Sequence, residues 1–414
     1  MHRIGFLISD GFQIMALAAQ SVFEYANMGM DAPFYAMDSY SVDGGDVRSS
    51  LGLPVATRAL RGRLGVDTWI VAGVNDPLAS PAPAGVVAYL SRANGQARRI
   101  AGICTGAFVL AEAGLLAQRR ATTHWALVVT HGWPGSVFEF HALIDRLCDP
   151  AAFGGDPDDA FDIVAPSLPG FLFSPAPAVP GTSALQVADC WAELMAGLGY
   201  RRFGAQGGDL GAGVSVALGA RHEGVVDGIH LNYLPGSYEP PIDAARPLTD
   251  DEQAFLKQRG DWAALEGGYA HVHMTKPRTL AVALNDSPLG LAAWIAEKFR
   301  AWSDCDGDVA RRFSYDTLLT GISLYWFTGC IGSSMQMYWE NRLQPMRFTP
   351  GQRLAVPVGF ARFPREISRP PRSWLERVFD VVQWTDMPSG GHFAAMEEPD
   401  LLADDIRRFF RRFR

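Results

Sequence analysis

Phe203-Gly204-Ala205-Gln206-Gly207-Gly208-Asp209-Leu210-Gly211-Ala212-Gly213 stands mid-chain and decides how the rest is read. Upstream, residues 194–200 read as the end of a helix; downstream, Val214-Ser215-Val216-Ala217-Leu218 opens a helix of small residues. Between them lie a short strand and a glycine-crowded turn. Glycines on both sides of one functional side chain are what a nucleophile elbow needs, because the central residue is held in a strained backbone with its neighbours pressed close. The residue at the tip is Asp209. A carboxylate there suits attack on a saturated carbon, which forms no tetrahedral oxyanion in the first step and leaves an ester that water can hydrolyse.

Outward from this turn, the 414 residues leave room for two or three domains. A hydrophobic content of 48% with 19% charged residues is that of a soluble globular chain with a large core. A net charge of -8 argues against nucleic acid as a partner. The five cysteines, Cys104, Cys148, Cys190, Cys305 and Cys330, are widely spaced without any Cys-x-x-Cys. They suggest neither a disulfide framework nor a zinc site and fit a reducing cytoplasm. The apolar run in residues 1–10 is too short for a secretory signal. Residues 320–339 form the one long uncharged stretch, but Ser323, Thr328, Ser333, Ser334 and Gln336 make it a buried helical segment rather than a membrane span.

In the first part of the chain, strands are expected over 4–9, 31–37, 53–57 and 67–72 and helices over 14–26 and 85–93. Such alternation implies an α/β sandwich on a mainly parallel sheet. Arg99-Ile100-Ala101-Gly102-Ile103-Cys104-Thr105-Gly106-Ala107-Phe108-Val109-Leu110 repeats the strand-turn-helix logic, with Cys104 at the bend. Together with Ala111-Glu112-Ala113-Gly114-Leu115-Leu116 and Arg120-Ala121-Thr122-Thr123-His124-Trp125, this segment resembles the glutamine amidotransferase-like domain found at the N-terminus of AraC-type regulators. The resemblance covers residues 3 to about 125. It implies a flavodoxin-like α/β sandwich, truncated here, with Cys104 as the elbow cysteine and His124 beside it. A thiol at a helix N-terminus can be made reactive, but the resemblance points to ligand sensing, with Cys104 structural or vestigial. The helix-turn-helix units that follow in such regulators are absent.

Trp125-Ala126-Leu127-Val128-Val129-Thr130 then runs directly into His131-Gly132-Trp133-Pro134-Gly135-Ser136. An apolar strand followed by His-Gly-x-Pro is an oxyanion-loop signature, in which the N–H of Trp133, the residue before the proline, points at the ester carbonyl. A helix over 137–148, a strand over 161–166, a loop over 167–174 and a helix over 183–197 lead back to the elbow, which is the rhythm of an α/β-hydrolase sheet.

Residues 127–412 resemble the microsomal-type, or juvenile-hormone-type, epoxide hydrolases of the α/β-hydrolase superfamily. The blocks that carry this are His131-Gly132-Trp133-Pro134-Gly135-Ser136, Gln206-Gly207-Gly208-Asp209, Gly268-Tyr269-Ala270-His271, Thr275-Lys276-Pro277, Asn285-Asp286-Ser287-Pro288, Tyr338-Trp339-Glu340-Asn341, Phe363-Pro364-Arg365-Glu366 and Gly390-Gly391-His392-Phe393. The resemblance implies an α/β-hydrolase domain over 126–414 with a helical cap at roughly 235–345. It assigns Asp209 as nucleophile, Tyr269 and Tyr338 as proton donors to the epoxide oxygen, His392 as the base that activates water and Glu366 as its orienting acid, although Glu340 and Glu376 are further carboxylates in this half. The N–H groups of Trp133 and Leu210 would form the oxyanion hole. No cofactor or metal is expected; the partners would be a small apolar epoxide and water, in a pocket lined by Trp294, Trp302 and Trp326, without a membrane anchor and with oligomers possible. His222, His230, His271 and His273 read as structural. The last helix, Pro399 to Phe410, ends in a basic aromatic tail.

Two departures stand out. Leu210 occupies the place where this family commonly has Trp, which also weakens haloalkane dehalogenation, since that chemistry needs an indole to hold halide. The N-terminal meander and first strands of the family are replaced by the amidotransferase-like segment 1–125. Exposed strand edges would follow unless that segment supplies pairing, so a catalytically impaired scaffold and a ligand-sensing module are the alternatives.

Overall fold

Runs of β-branched and aromatic residues with few charges make strands that are covered on both faces, as parallel sheets require. The computed structural model describes residues 1–13, 15–28, 32–74, 80–103, 105–116, 125–235, 237–242 and 246–414. These fall into two units, Met1–Thr122 and Thr123–Arg414.

The first unit runs β1 (His2–Leu7), α1 (Met15–Met28), β2 (Tyr35–Ser41), β3 (Gly45–Arg48), β4 (Pro54–Ala59), β5 (Thr68–Ala72), α2 (Ala84–Ala93), β6 (Arg99–Ile103) and α3 (Gly106–Glu112). Its sheet has the order β3-β4-β2-β1-β5-β6, parallel except that β3 runs antiparallel to β4. The strand expected over 31–37 begins later, at Tyr35, because the Asn27 side chain accepts from the N–H groups of Phe34 and Tyr35 and fixes where the chain turns into the sheet. Strand β3 was not foreseen: in Gly45-Asp46-Val47-Arg48 only Val47 is buried, the polar composition of a short edge strand. Cys104 and His124 lie outside the described residues.

The second unit continues with β7 (Trp125–Thr130), α4 (His141–Cys148), β8 (Phe161–Val164), α5 (Ala184–Gly197), β9 (Phe203–Gly207), α6 (Asp209–Arg221) and β10 (Val226–Leu231). Six cap helices follow: α7 (Asp250–Glu266), α8 (Gly268–Thr275), α9 (Pro277–Asp286), α10 (Pro288–Trp302), α11 (Tyr315–Thr328) and α12 (Ile331–Leu343). The chain then returns to the sheet through β11 (Pro357–Arg362), α13 (Arg372–Leu375), β12 (Asp380–Asp386), α14 (Ala394–Glu397) and α15 (Pro399–Phe410). All pairings in the order β12-β11-β10-β9-β7-β8 are parallel. Alternate residues of β7 feed the two covering layers. Ala126 and Val128 pack with Val187 and Trp191 of α5, while Leu127 and Val129 pack with Leu143 and Leu147 of α4 and Phe409 and Phe410 of α15.

Three expectations are corrected here. The helix after the elbow starts at Asp209 itself, not at Val214, because Gly208 supplies the extended N-cap and the small Gly211 and Ala212 let the first turn press against β7. Residues 137–148 begin as a 3-10 turn before α4. Residues 320–339 are parts of two helices, α11 and α12, broken where Gly329 takes a left-handed conformation that caps the first. No described helix is long and apolar enough to cross a membrane. Helix α15 has the expected bounds, and its basic tail is tied down by Arg411 and Arg414 pairing with Asp159.

Candidate active site

The carboxyl ends of β7, β9, β10, β11 and β12 face the same side, where open parallel sheets gather their ligand-binding loops. The elbow sits after β9. Asp209 has φ +46°, a left-handed conformation that costs a non-glycine residue energy and is sustained only by tight surroundings. Those surroundings explain two of the glycines. A methyl carbon on Gly211 would lie 1.9 Å from the carbonyl oxygen of Thr130, and one on Gly132 would lie 2.3 Å from the Asp209 carboxyl. The end of β7, the oxyanion loop and the elbow are therefore in backbone contact.

The Trp133 N–H donates to Asp209 Oδ1 at 2.8 Å. Leu210, the second donor expected, makes no such bond among the described residues; its side chain packs against the core instead. The other oxygen, Asp209 Oδ2, lies 3.5 Å from Nε2 of His392, whose Nδ1 is 2.7 Å from Oε1 of Glu366. Glu366, in the loop after β11, is thus the carboxylate that meets the imidazole. Glu340 accepts from Gln336 within α12, and Glu376 is held by Arg372. Burial opposes a charge on His392, yet Glu366 and Asp209 together hold its pKa well above the usual value. The histidine loop is clamped from the cap side: His392 N–H donates to Trp302 O, Gly390 N–H to Asp304 Oδ2, and the Asp304 and Phe393 N–H groups both donate to Glu397.

Tyr269 on α8 stacks on the Trp133 indole with ring centres 5.3 Å apart, and Tyr338 on α12 meets the same indole edge-on at 6.2 Å. The two phenol rings are 6.0 Å apart. Among the described residues the Tyr338 hydroxyl makes no hydrogen bond of normal geometry. Burial, reinforced by the Asp209 charge, pushes both phenols above their ordinary pKa. Both stay protonated at any working pH. Trp302 stands 5.1 Å from the His392 ring, and Trp294 lies 6.1 Å from His273; Trp326 makes no aromatic contact with this set among the described residues. Lys298 lies over the faces of Tyr269, Trp294 and Trp302.

Of the histidines read as structural, His222 and His230 pair with Asp189 and Asp405, His271 is exposed, and His273 is buried against Trp133, Tyr269 and Tyr338. Sequence reasoning missed Glu139, whose carboxyl turns inward against Gly135, because Ser136-Val137-Phe138-Glu139 reads as an ordinary capping signature. It also left Asn232 unremarked, although that residue accepts from Gln206 Nε2 at 2.8 Å.

His131 shapes the loop rather than reacting. Its Nε2 accepts from Leu168 N–H at 3.1 Å and its Nδ1 is 3.0 Å from Gly132 O, so the ring is neutral with its proton on Nδ1. Burial lowers its pKa to about 4. The unfolded chain binds this proton more readily, so the stability His131 contributes is complete above about pH 6.5 and is lost towards pH 4, by about 3 kcal/mol. Denaturant unfolding of the wild type and His131→Asn should show this as a steeper pH dependence in the wild type between those values. Parallel curves would refute it.

Comparison with known proteins fits this geometry. The α/β-hydrolase fold family model matches residues 126–263, and the DJ-1/PfpI family model matches residues 36–135. A putative epoxide hydrolase of Stigmatella aurantiaca is 44% identical over 289 residues, 70% of this chain and 64% of that protein. Epoxide hydrolase 1 of Oryctolagus cuniculus is 40% identical over 305 residues, 68% of this chain and 67% of that protein. The chain thus spans about two thirds of the length of these curated relatives. The crystal structure of juvenile hormone epoxide hydrolase from Bombyx mori superposes with a TM-score of 0.62 at 31% identity, covering 70% of this chain and 72% of that one. With an aspartate at a tight elbow, a His–Glu pair and two neighbouring phenols on a matching fold, the chain belongs to the epoxide hydrolases of the α/β-hydrolase fold, and carries a DJ-1/PfpI-type segment ahead of that domain.

Proposed function

We propose that the protein hydrolyses small apolar epoxides to vicinal diols in two steps, with Asp209, His392, Glu366, Tyr269 and Tyr338 as the catalytic set and no cofactor, acting in a reducing cytoplasm. The observation that carries this reading is the division of labour at Asp209, where one carboxylate oxygen is held by the Trp133 N–H and the other is left facing His392.

In the first step Asp209 Oδ2 attacks a ring carbon, a C–O ester bond forms and the epoxide C–O bond breaks. The departing oxygen takes a proton from a tyrosine, for which the alkoxide is the stronger base. In the second step water attacks the ester carbonyl carbon. The Trp133 N–H stabilises the oxyanion on Oδ1, His392 takes one water proton, and collapse breaks the bond between the carboxyl carbon and Oδ2; the leaving oxygen takes the other water proton, so the diol departs and a carboxylate and protonated His392 remain. Esterification also removes the Asp209 charge. That charge is one of the two supports for protonated His392, so the imidazole becomes a competent base only once there is an ester to hydrolyse. The proton it sheds balances the one given up by the phenol.

A single turnover of styrene oxide in H2 18O, with enzyme in excess, tests this. The first diol should carry no label, and the label should appear in the peptide containing Asp209. Labelled diol from the first turnover would mean direct attack by water and would sink the covalent reading. Within the same scheme, Tyr269→Phe and Tyr338→Phe should each slow adduct formation by about a hundredfold, because general acid assistance is worth roughly 10²–10⁴. Rapid-quench intact mass measures this, and undiminished adduct formation in both variants would remove the tyrosines from the mechanism.

A further inference from the structure

Beside the Asp209 carboxylate lies a small polar chamber whose walls include Thr130, Glu139, Gln206, Asn232 and His392. It offers about 20 Å3 to the centre of a water molecule, and roughly 10–15 Å3 suffices for one. Gln206 is 1% exposed in the interior of β9. Its Nε2 donates to Asn232, but its Oε1 has no partner, and a buried amide oxygen is seldom left so. The Thr130 hydroxyl accepts from Trp191 Nε1, which leaves its own proton to donate. His392 Nε2 lies 3.5 Å from Asp209 Oδ2, so the base faces the carboxyl group that the water would attack once it is an ester. The chamber therefore holds acceptors, a donor and a base around room for a single water.

We propose that this chamber is the seat of the hydrolytic water and that Gln206 is its positioning residue, with Oε1 accepting one water proton while His392 takes the other. The inference rests on the two-step reading above. With both protons engaged, a lone pair of the water oxygen is directed at the Asp209 carboxyl carbon. The O–C bond forms there, the proton moves to Nε2, and no further reagent is needed. Glu139 supports the arrangement by remaining neutral. Burial raises its pKa to about 8, so at neutral pH it adds no second negative charge beside Asp209.

The test compares wild type, Gln206→Met and Gln206→Glu by rapid-quench intact mass with styrene oxide, resolving formation of the alkyl-enzyme from its decay. Methionine keeps the volume but removes the acceptor, so decay should slow roughly ten- to thirtyfold, the worth of one hydrogen bond in the transition state, while formation is unchanged. Glutamate restores an acceptor oxygen but adds an acid beside Asp209, so decay should recover only in part, to faster than in Gln206→Met. Decay in Gln206→Met at the wild-type rate, or equal slowing of both phases, overturns the assignment. Absence of alkyl-enzyme in every variant overturns the two-step reading and this inference with it. Should Gln206→Met fail to fold, a high-resolution crystal structure of the wild type decides: an ordered water within hydrogen-bond distance of Gln206 Oε1 supports the proposal, and none there refutes it.

Discussion

Asp209→Ala is expected to form no alkyl-enzyme and to lose turnover by a factor on the order of 10⁵, the scale seen when a covalent nucleophile is deleted from an enzyme. The reason is geometric as well as chemical. Asp209 is the carboxylate placed between the Trp133 N–H and the imidazole of His392, at the tip of a turn whose glycines admit no larger neighbour. Glu366 is already taken up by His392 Nδ1 and Ile367 N–H, and Glu139 is held neutral, so neither is a ready substitute. The variant should still fold, since Asp209 is only half-buried and alanine keeps its Cβ. Circular dichroism and thermal unfolding close to those of the wild type would confirm this. Diol formation at more than a thousandth of the wild-type rate by the folded variant would place the nucleophile elsewhere.

His392→Gln is expected to do the opposite at the level of the intermediate. Glutamine cannot take a proton from water, so ester hydrolysis should fall by about 10³ or more, while attack by Asp209 needs no base and continues. Incubation with styrene oxide should therefore drive the protein to one adduct per chain, heavier by the mass of the epoxide and located on the peptide containing Asp209. The absence of any accumulated adduct, with diol release still slow, would show that His392 acts before the ester forms. Glu366→Gln should resemble it more weakly, because the 2.7 Å contact with Nδ1 orients and charges the ring without touching water.

Much of this site could be read from short stretches of chain. An elbow is a local device: Gly207 and Gly211 are there because backbone passes within contact distance, and their spacing is visible in the sequence before any neighbour is known. The same holds for Trp133, whose N–H is placed by the His-Gly-x-Pro turn immediately after β7. Tyr269 and Tyr338 are singled out only by family resemblance, since nothing local separates a proton-donating phenol from a core one. What the fold adds is their shared contact with the Trp133 indole, which brings the two phenols of α8 and α12 to one place.

The sequence by itself determined the periodic strands, the elbow and oxyanion turns, and the last helix, because each depends on interactions among residues close in the chain. Tertiary structure alone decided which acid serves His392, since Glu340, Glu366 and Glu376 are chemically alike and only the path of the chain after β11 brings one of them to Nδ1. It also decided that Glu139, Gln206 and Asn232 close a chamber beside Asp209. These depend on contacts between segments far apart in sequence. Burial, charge and the room for one water arise only when those segments meet.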